Sequence, residues 1–181
     1  RTDATHYLKL IDRFKPDMIE AFANPMRFLA HYASKEGIRP EVGVIRIGYE
    51  NLTPEARREI ESAFGCEVYN FYGSRELGAM AQDCEVHGDL HINAERYIVE
   101  EVEGRLLFTD LLNYAMPLIR YENQDVGEFS KRRCSCGRGL PTIKSVIGRS
   151  FDYLLTNKDK WINSHAIGHF IVENNMFDWC E

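Results

Sequence analysis

Residues 44–78 read VIRIGYENLTPEARREIESAFGCEVYNFYGSRELG, and this stretch decides the fold. Residues 42–47 alternate and are rich in β-branched side chains, which predicts a strand. Thr53-Pro54-Glu55 is a helix start, with Thr as N-cap and Pro at the first helical position, and the helix runs to Phe64-Gly65. Residues 67–71 predict a second strand. Strand, helix, strand in that order imply a right-handed βαβ unit and a parallel sheet. Ligands of such sheets sit beyond the carboxyl ends of the strands. Two segments fall there, Gly48-Tyr49-Glu50 and Tyr72-Gly73-Ser74-Arg75-Glu76.

Upstream, residues 5–14 carry Tyr7, Leu8, Ile11 and Phe14 at helical spacing, and Lys15-Pro16 ends that helix. A short strand over 17–22 follows, and then a helix over 25–36 with Met26, Leu29, Ala30 and Ala33 on one face and Gly37 as its stop. Downstream the character changes. HINAERYIVEEV, GRLLFTDL and DVGEFSK are short strands broken by Gly and Asn. Beyond Gly148 a strand over 153–156, a turn at Asn157-Lys158-Asp159 and a helix from Ser164 are expected. The expected class is therefore α/β: a parallel-sheet βαβ subdomain (1–81), a small β-rich, barrel-like subdomain (82–147) and the start of a C-terminal α+β domain (148–181).

Composition narrows the function classes. The 181 residues are 44% hydrophobic and 28% charged, which excludes a disordered or collagen-like chain. A net charge of −6, from 22 basic and 28 acidic side chains, speaks against nucleic acid or a membrane as general partner. No apolar run approaches the roughly 20 residues of a membrane helix. The opening RTDATHYLKLIDRF has the composition of neither a signal nor a transit peptide. Five unevenly spaced cysteines do not form a secreted disulfide framework, so the cytoplasm is the expected compartment. The chain opens on Arg1 and stops within FIVENNMFDWCE, where Phe170, Ile171, Met176, Phe177 and Trp179 need something to pack against. A fragment of a longer chain is expected, and the sequence sets no oligomeric state.

Three constellations carry chemistry. In YGSRE, glycine lets the backbone approach a ligand, Tyr72 offers a flat face for a base, and Glu76 suits a hard cation such as Mg²⁺. The same residues also describe a tight turn with a solvated Glu. Cys84-x-x-His87 and Cys134-x-Cys136 are two close ligand pairs suited to tetrahedral, structural zinc. His91 is a rival ligand, but its alternation with Leu90 and Ile92 places it on a strand; the alternative is four unrelated residues, with the cysteines buried as small hydrophobes. Between Phe129 and Phe151 lie Lys131, Arg132, Arg133, Arg138, Lys144 and Arg149 and no acid, which suits phosphates, metal thiolates or a solvated loop.

Residues 44–78, followed in order by GDLHINAERYIVE, GRLLFTDLLNYAMPLIRYENQD and CSCGRGLPTIKSVIGRSFD, resemble the adenylate-forming enzymes that activate carboxylates with ATP. The resemblance is to the phenylacetate-CoA ligase group, including its CapK-like capsular-polysaccharide proteins. It implies that Tyr72 stacks on adenine and that Glu76 positions Mg²⁺ on the ATP phosphates. Gly48 and Glu50 fall in the loop lining the adenine pocket, with Asn70, Gly73 and Ser74 as further nucleotide contacts. Asp125 accepts the two ribose hydroxyls, Arg149 contacts ribose or phosphate, and Asp152 is the hinge of a mobile C-terminal domain. The pattern departs at Arg75, where most of the adenylate-forming superfamily has Thr or Ser, and at Gln124, where it usually has Gly. Arg75 stands as a cation able to meet a phosphate, or to pair with Glu76.

The resemblance implies a small-molecule carboxylate and a nucleotide as partners, and coenzyme A as a possible acyl acceptor. Tyr49, Phe71, Gly78 and Ala79 would border the acyl site. The family's phosphate loop and C-terminal lysine have no counterpart in these residues, so the fragment alone is expected to be inactive. Two other readings compete: a zinc-stabilised binding module using the KRRCSCGRG face, and an adenylation-fold scaffold without activity.

Overall fold

A computed structural model of the chain describes residues 4–149, 153–155 and 161–163. Among the described residues three helices, α1 (Ala4–Phe14), α2 (Ala23–Glu36) and α3 (Pro54–Phe64), alternate with three parallel strands, β1 (Met18–Ala21), β2 (Val44–Ile47) and β3 (Glu67–Ser74). A run of strands follows: β4 (Gly78–Gln82), β5 (Leu90–Ile92), β6 (Tyr97–Val102), β7 (Arg105–Asp110), β8 (Tyr121–Phe129) and β9 (Thr142–Arg149). Two short strands, β10 (Tyr153–Leu155) and β11 (Trp161–Asn163), pair antiparallel. Among the described residues no helix is long and apolar enough to cross a membrane.

Local chemistry sets the helix ends where the sequence places them. Thr53 Oγ1 accepts from the Ala56 N–H at 3.1 Å with Pro54 at the first turn, and Gly65 closes α3 in the left-handed region at φ 69°. Gly37, at φ 66°, does the same for α2. Alternation then sorts the strands. Ile45, Ile47 and Val68 face Leu8, Met26, Ala30, Ile60 and Phe64 in one buried core. A second core gathers Leu77, Met80, Ile92, Tyr97, Leu106, Phe108 and Ile143.

The two halves share one sheet, in the order β1-β2-β3-β4-β5-β9-β8-β7-β6. The join is β3. Glu67 to Asn70 pairs parallel with β2, and Phe71 to Ser74 pairs antiparallel with β4. This corrects the expected strand-end loop: Tyr72, Gly73 and Ser74 lie on the strand, and only residues 75–77 form the turn. The strand runs on because β4 supplies hydrogen-bond partners that the βαβ pattern does not reveal. β4 itself crosses the position where the β-rich part was expected to begin, and the sheet order is open, with β1 and β6 at its edges among the described residues. The helix expected from Ser164 lies outside the described residues.

A buried ion pair pins α3 to this junction. Arg57 Nη2 donates to Asp83 Oδ2 at 2.6 Å, and Nη1 donates to the Val68 carbonyl. Asp83, its side chain 1% exposed, also accepts from the Asn70 N–H at 2.8 Å through Oδ1, and its own N–H donates to the Asn70 carbonyl at 2.9 Å. Removing one partner of such a pair strands the other charge in the interior. Arg57→Met is expected to cost about 3 kcal/mol of unfolding free energy, read from the urea midpoint at unchanged m-value.

Candidate nucleotide and metal sites

Strands β3 and β8 bring together two residues 53 positions apart. The Tyr72 hydroxyl donates to Asp125 Oδ2 at 2.5 Å. Asn123, 7% exposed, donates from Nδ2 to the Tyr72 hydroxyl at 2.6 Å and to Asp125 Oδ2 at 2.7 Å. Its Oδ1 accepts from the Asp125 N–H at 3.2 Å. The Tyr72 ring packs against the second core and lies 6.0 Å from the Phe108 ring.

The backbone that aims Asn123 and Asp125 is irregular. β7 and β8 pair at Leu107–Glu122 and again at Arg105–Val126, so β8 carries extra residues across from β7. Such bulges bend a strand and re-aim its side chains. Gln124 at the centre has φ 67°, a left-handed conformation that an L side chain adopts at a cost of about 1 kcal/mol. This is the position where the resembling pattern usually has glycine, the residue that adopts a positive φ without strain. Asp125 is also the register partner of Arg149 on β9, so the two expected nucleotide contacts are neighbours along the backbone ladder.

The other expected residues divide. Gly48 packs so tightly on the Phe71 ring that a Cβ would collide with it, and its N–H donates to the Ala21 carbonyl at 3.1 Å. Tyr49 stands edge-on to Phe71, with centroids 5.2 Å apart. Glu50 turns away toward α2, where Oε2 accepts from the Asn24 N–H at 2.8 Å. That helix has no side-chain cap of its own at Phe22, so Glu50 acts as a remote cap. Asn70 joins the site's support through its backbone bonds to Asp83. Gly73 meets the Gly78 carbonyl at the β3–β4 bulge, and Ser74 Oγ accepts from the Leu77 N–H at 3.2 Å. Arg75 and Glu76 are exposed at the tip of the turn. Asp152 lies outside the described residues.

The cysteine cluster forms with one change of partner. Cys84, Cys134, Cys136 and His91 place their ligand atoms within 4.8 Å of one another. Cys84 Sγ lies 3.6 Å from Cys134 Sγ, and Cys136 Sγ lies 3.4 Å from His91 Nε2. A tetrahedron with Zn–S bonds of about 2.3 Å has sulfur–sulfur edges of about 3.8 Å, so the set fits zinc. Burial pushes the Cys84 thiol up to about 11, while the Arg138 backbone N–H holds Cys136 down at about 7. His91 Nδ1 is buried and has no hydrogen-bond partner among the described residues, which leaves the ring's polar contact on the sulfur side.

His87, expected as the fourth ligand, is outside this cluster. Its N–H closes a turn onto the Cys84 carbonyl at 2.8 Å, with φ 52°, and the turn directs the ring back toward the α3 junction. There Nδ1 lies 2.8 Å from Arg57 Nη1 and 3.4 Å from Asp83 Oδ2. His91 replaces it because β5 pairs with β9, with His91 opposite Thr142, beside the loop that carries Cys134 and Cys136. Within the basic run, Arg138 pairs with Glu85 at 2.6 Å and Lys144 with Glu128 at 3.3 Å. Those two cations therefore answer acids from elsewhere in the chain.

Asn123 was the residue missed. Its signal was the i, i+2 relation to Asp125 on one strand, which puts both on one face.

No protein-family model matches the chain. It is similar to the phenylacetate-coenzyme A ligase of Thermus thermophilus, 28% identical over 81% of this chain and 37% of that protein. Protein CapK of Staphylococcus aureus is 27% identical over 96% of this chain and 40% of its own length. The chain thus spans about two fifths of the relatives it matches. Among solved structures, 2-hydroxyisobutyryl-CoA ligase in the postadenylation state superposes with a TM-score of 0.78 at 19% identity, covering 94% of this chain and 40% of that one. An anthranilate CoA ligase bound to anthranoyl-AMP gives 0.61 at 14% identity, covering 89% and 35%. The fold is that of adenylate-forming ligase domains.

Relieving the left-handed strain at Gln124 has a measurable consequence. Gln124→Gly is expected to stabilise the fold by about 0.5–1 kcal/mol, the gain being held down by the greater freedom of glycine in the unfolded chain. Urea denaturation of the two proteins side by side checks it.

Proposed function

We propose that this chain is the adenine-, ribose- and metal-binding part of a ligase that activates a carboxylate as its acyl-adenylate with ATP. The observation that carries the reading is the direct bond between Tyr72 and Asp125, which joins a flat aromatic face to a carboxylate with two acceptor oxygens. In this reading Tyr72 stacks on adenine and Asp125 accepts the ribose hydroxyls. Arg149, opposite Asp125 in the backbone ladder, is proposed as the contact to ribose or phosphate. Gly48, Asn70, Gly73 and Ser74 shape the approach of the nucleotide.

The first half-reaction needs no covalent nucleophile on the protein. The substrate carboxylate attacks the α-phosphorus of ATP and pyrophosphate leaves, so catalysis is positioning and charge neutralisation. Glu76, at the exposed tip of the β3–β4 turn, is proposed to hold Mg²⁺, which when bound neutralises phosphate charge. Arg75 beside it, where most of the superfamily has Thr or Ser, supplies a bidentate cation for the phosphates. Asp152 is proposed as the hinge, and coenzyme A as acceptor in the second half-reaction. Tyr49, Phe71, Gly78 and Ala79 are proposed to border the acyl group, a small-plus-aromatic lining suited to a flat ring. The domain limits at 81/82 and 147/148, and a cytoplasmic location, belong to the same proposal. Because the chain spans two fifths of its relatives, the activity is proposed for the whole protein.

Carboxylate-dependent ATP–pyrophosphate exchange by the whole protein, across aryl, fatty, amino and sugar acids, tests the reading. Exchange with one class is expected, and Glu76→Ala and Asp125→Ala should each lower it by about 10- to 100-fold, the worth of a hydrogen bond to a charged group. ATP binding without exchange for any acid would favour a scaffold that has kept the fold and lost the activity.

A structural zinc held by Cys84, His91, Cys134 and Cys136 is the second part of the proposal. It would tie the segment after β4 and strand β5 to the β8–β9 loop. One equivalent of zinc per chain is expected by plasma emission. Cys136→Ser and His91→Ala should lose most of it, and His87→Ala should keep it.

A further inference from the structure

We infer that Asn123 is a positioning residue that makes adenine stacking and ribose recognition a single event; the inference rests on the nucleotide reading above. Three hydrogen bonds close a triangle: Tyr72 hydroxyl to Asp125 Oδ2 at 2.5 Å, Asn123 Nδ2 to the same Oδ2 at 2.7 Å, and Asn123 Nδ2 to the Tyr72 oxygen at 2.6 Å. The two oxygens lie only 2.5 Å apart, so the single carboxamide nitrogen is within hydrogen-bond distance of both and restrains them together.

Asn123 is itself anchored. Its Oδ1 accepts from the Asp125 backbone N–H at 3.2 Å, and it is buried within the bulge that Gln124 creates. The amide plane is thus set by the backbone of the very residue whose side chain it orients. Tyr72 is held from its other side by packing against the Phe108 ring. The flat face and the carboxylate arrive on strands far apart in sequence, and the side chain of Asn123 bonds both where they meet. Such preorganisation lowers the ordering cost of binding a nucleoside. It also couples the two contacts, so that loosening one loosens the other.

The experiment uses the whole protein with AMP and 2′-deoxy-AMP as probes, in wild type, Asn123→Leu, Tyr72→Phe and the double variant. Leu matches Asn in size and removes the amide, and Phe keeps the ring and removes the hydroxyl. Each single variant is expected to weaken AMP about tenfold, the worth of one strong hydrogen bond. The preference for AMP over 2′-deoxy-AMP should shrink in both, because the carboxylate is no longer held for the ribose. The double variant should be no more than about twofold worse than the weaker single variant.

Additive losses near a hundredfold, or equal weakening of both nucleotides with their ratio kept, would overturn the inference. Asn123→Thr, which keeps a donor in a similar volume, carries the same measurement if Asn123→Leu does not fold. It should then retain more of the ribose preference than Asn123→Ala. A wild-type protein that binds neither nucleotide would remove the nucleotide reading and this inference together. Binding with an unchanged ratio would remove the inference alone.

Discussion

Strand β3 carries the architecture because it pairs in two directions. Its first half is the last parallel strand of a βαβ layer, and its second half is the first strand of an antiparallel run. A strand has two edges, and here one edge is filled along the lower part by β2 while the other is filled along the upper part by β4. The bulge between Tyr72 and Gly73, with Gly73 against the Gly78 carbonyl, is where β3 meets its antiparallel partner. Both cores therefore hang on one piece of backbone. A slip of one residue in β3 would turn Val68 out of the helical core and Tyr72 away from Asp125 in the same movement.

Asp83 holds that junction from behind. It bonds the backbone of Asn70 twice and the guanidinium of Arg57 once, and so joins β3 to α3. The next residue is Cys84, the first sulfur of the cluster that reaches the β8–β9 loop. Cys134 and Cys136 precede β9, which lies against β8, the strand of Asn123 and Asp125. A continuous set of contacts thus runs from α3 through Asp83 and the cysteine cluster to the hairpin that bears the proposed ribose carboxylate. His87 belongs to the ion-pair end of this set, beside Arg57, and His91 to the sulfur end.

The proposed nucleotide site is built where the ladder is least regular. β8 is bulged against β7 and shifts register twice against β9, and Gln124 sits in the left-handed region between the two side chains that face Tyr72. An unbroken strand would also place residues 123 and 125 on one face, but their spacing would follow the pleat. The bulge frees them to converge on a single phenolic oxygen. The cost is local strain, and the neighbouring hydrogen bonds offset it. The resembling pattern usually has glycine at this position, which takes a positive φ without strain, and this chain has a longer side chain there.

Much of this was legible in the residues themselves. Thr53-Pro54 and Gly65 fix the ends of α3 through local hydrogen bonds and allowed dihedrals, and the alternation of Ile45, Ile47 and Val68 names the face that meets the helices. The same reasoning gives the βαβ order and a β-rich second part, while the four ordered motifs speak only through their resemblance to the adenylate-forming enzymes. Local physics stops at pairing. β4 and the extension of β3 depend on which strand lies alongside, and the periodicity of a single segment does not encode its neighbour. The choice between His87 and His91 was decided by a local turn back onto Cys84 and by the pairing of β5 with β9, which joins residues about 50 positions apart. Sequence alone therefore determined the kinds of element and the chemical inventory of the sites. Tertiary structure alone decided which histidine joins the sulfurs and which amide ties Tyr72 to Asp125, because those contacts exist only once segments distant in sequence are brought together.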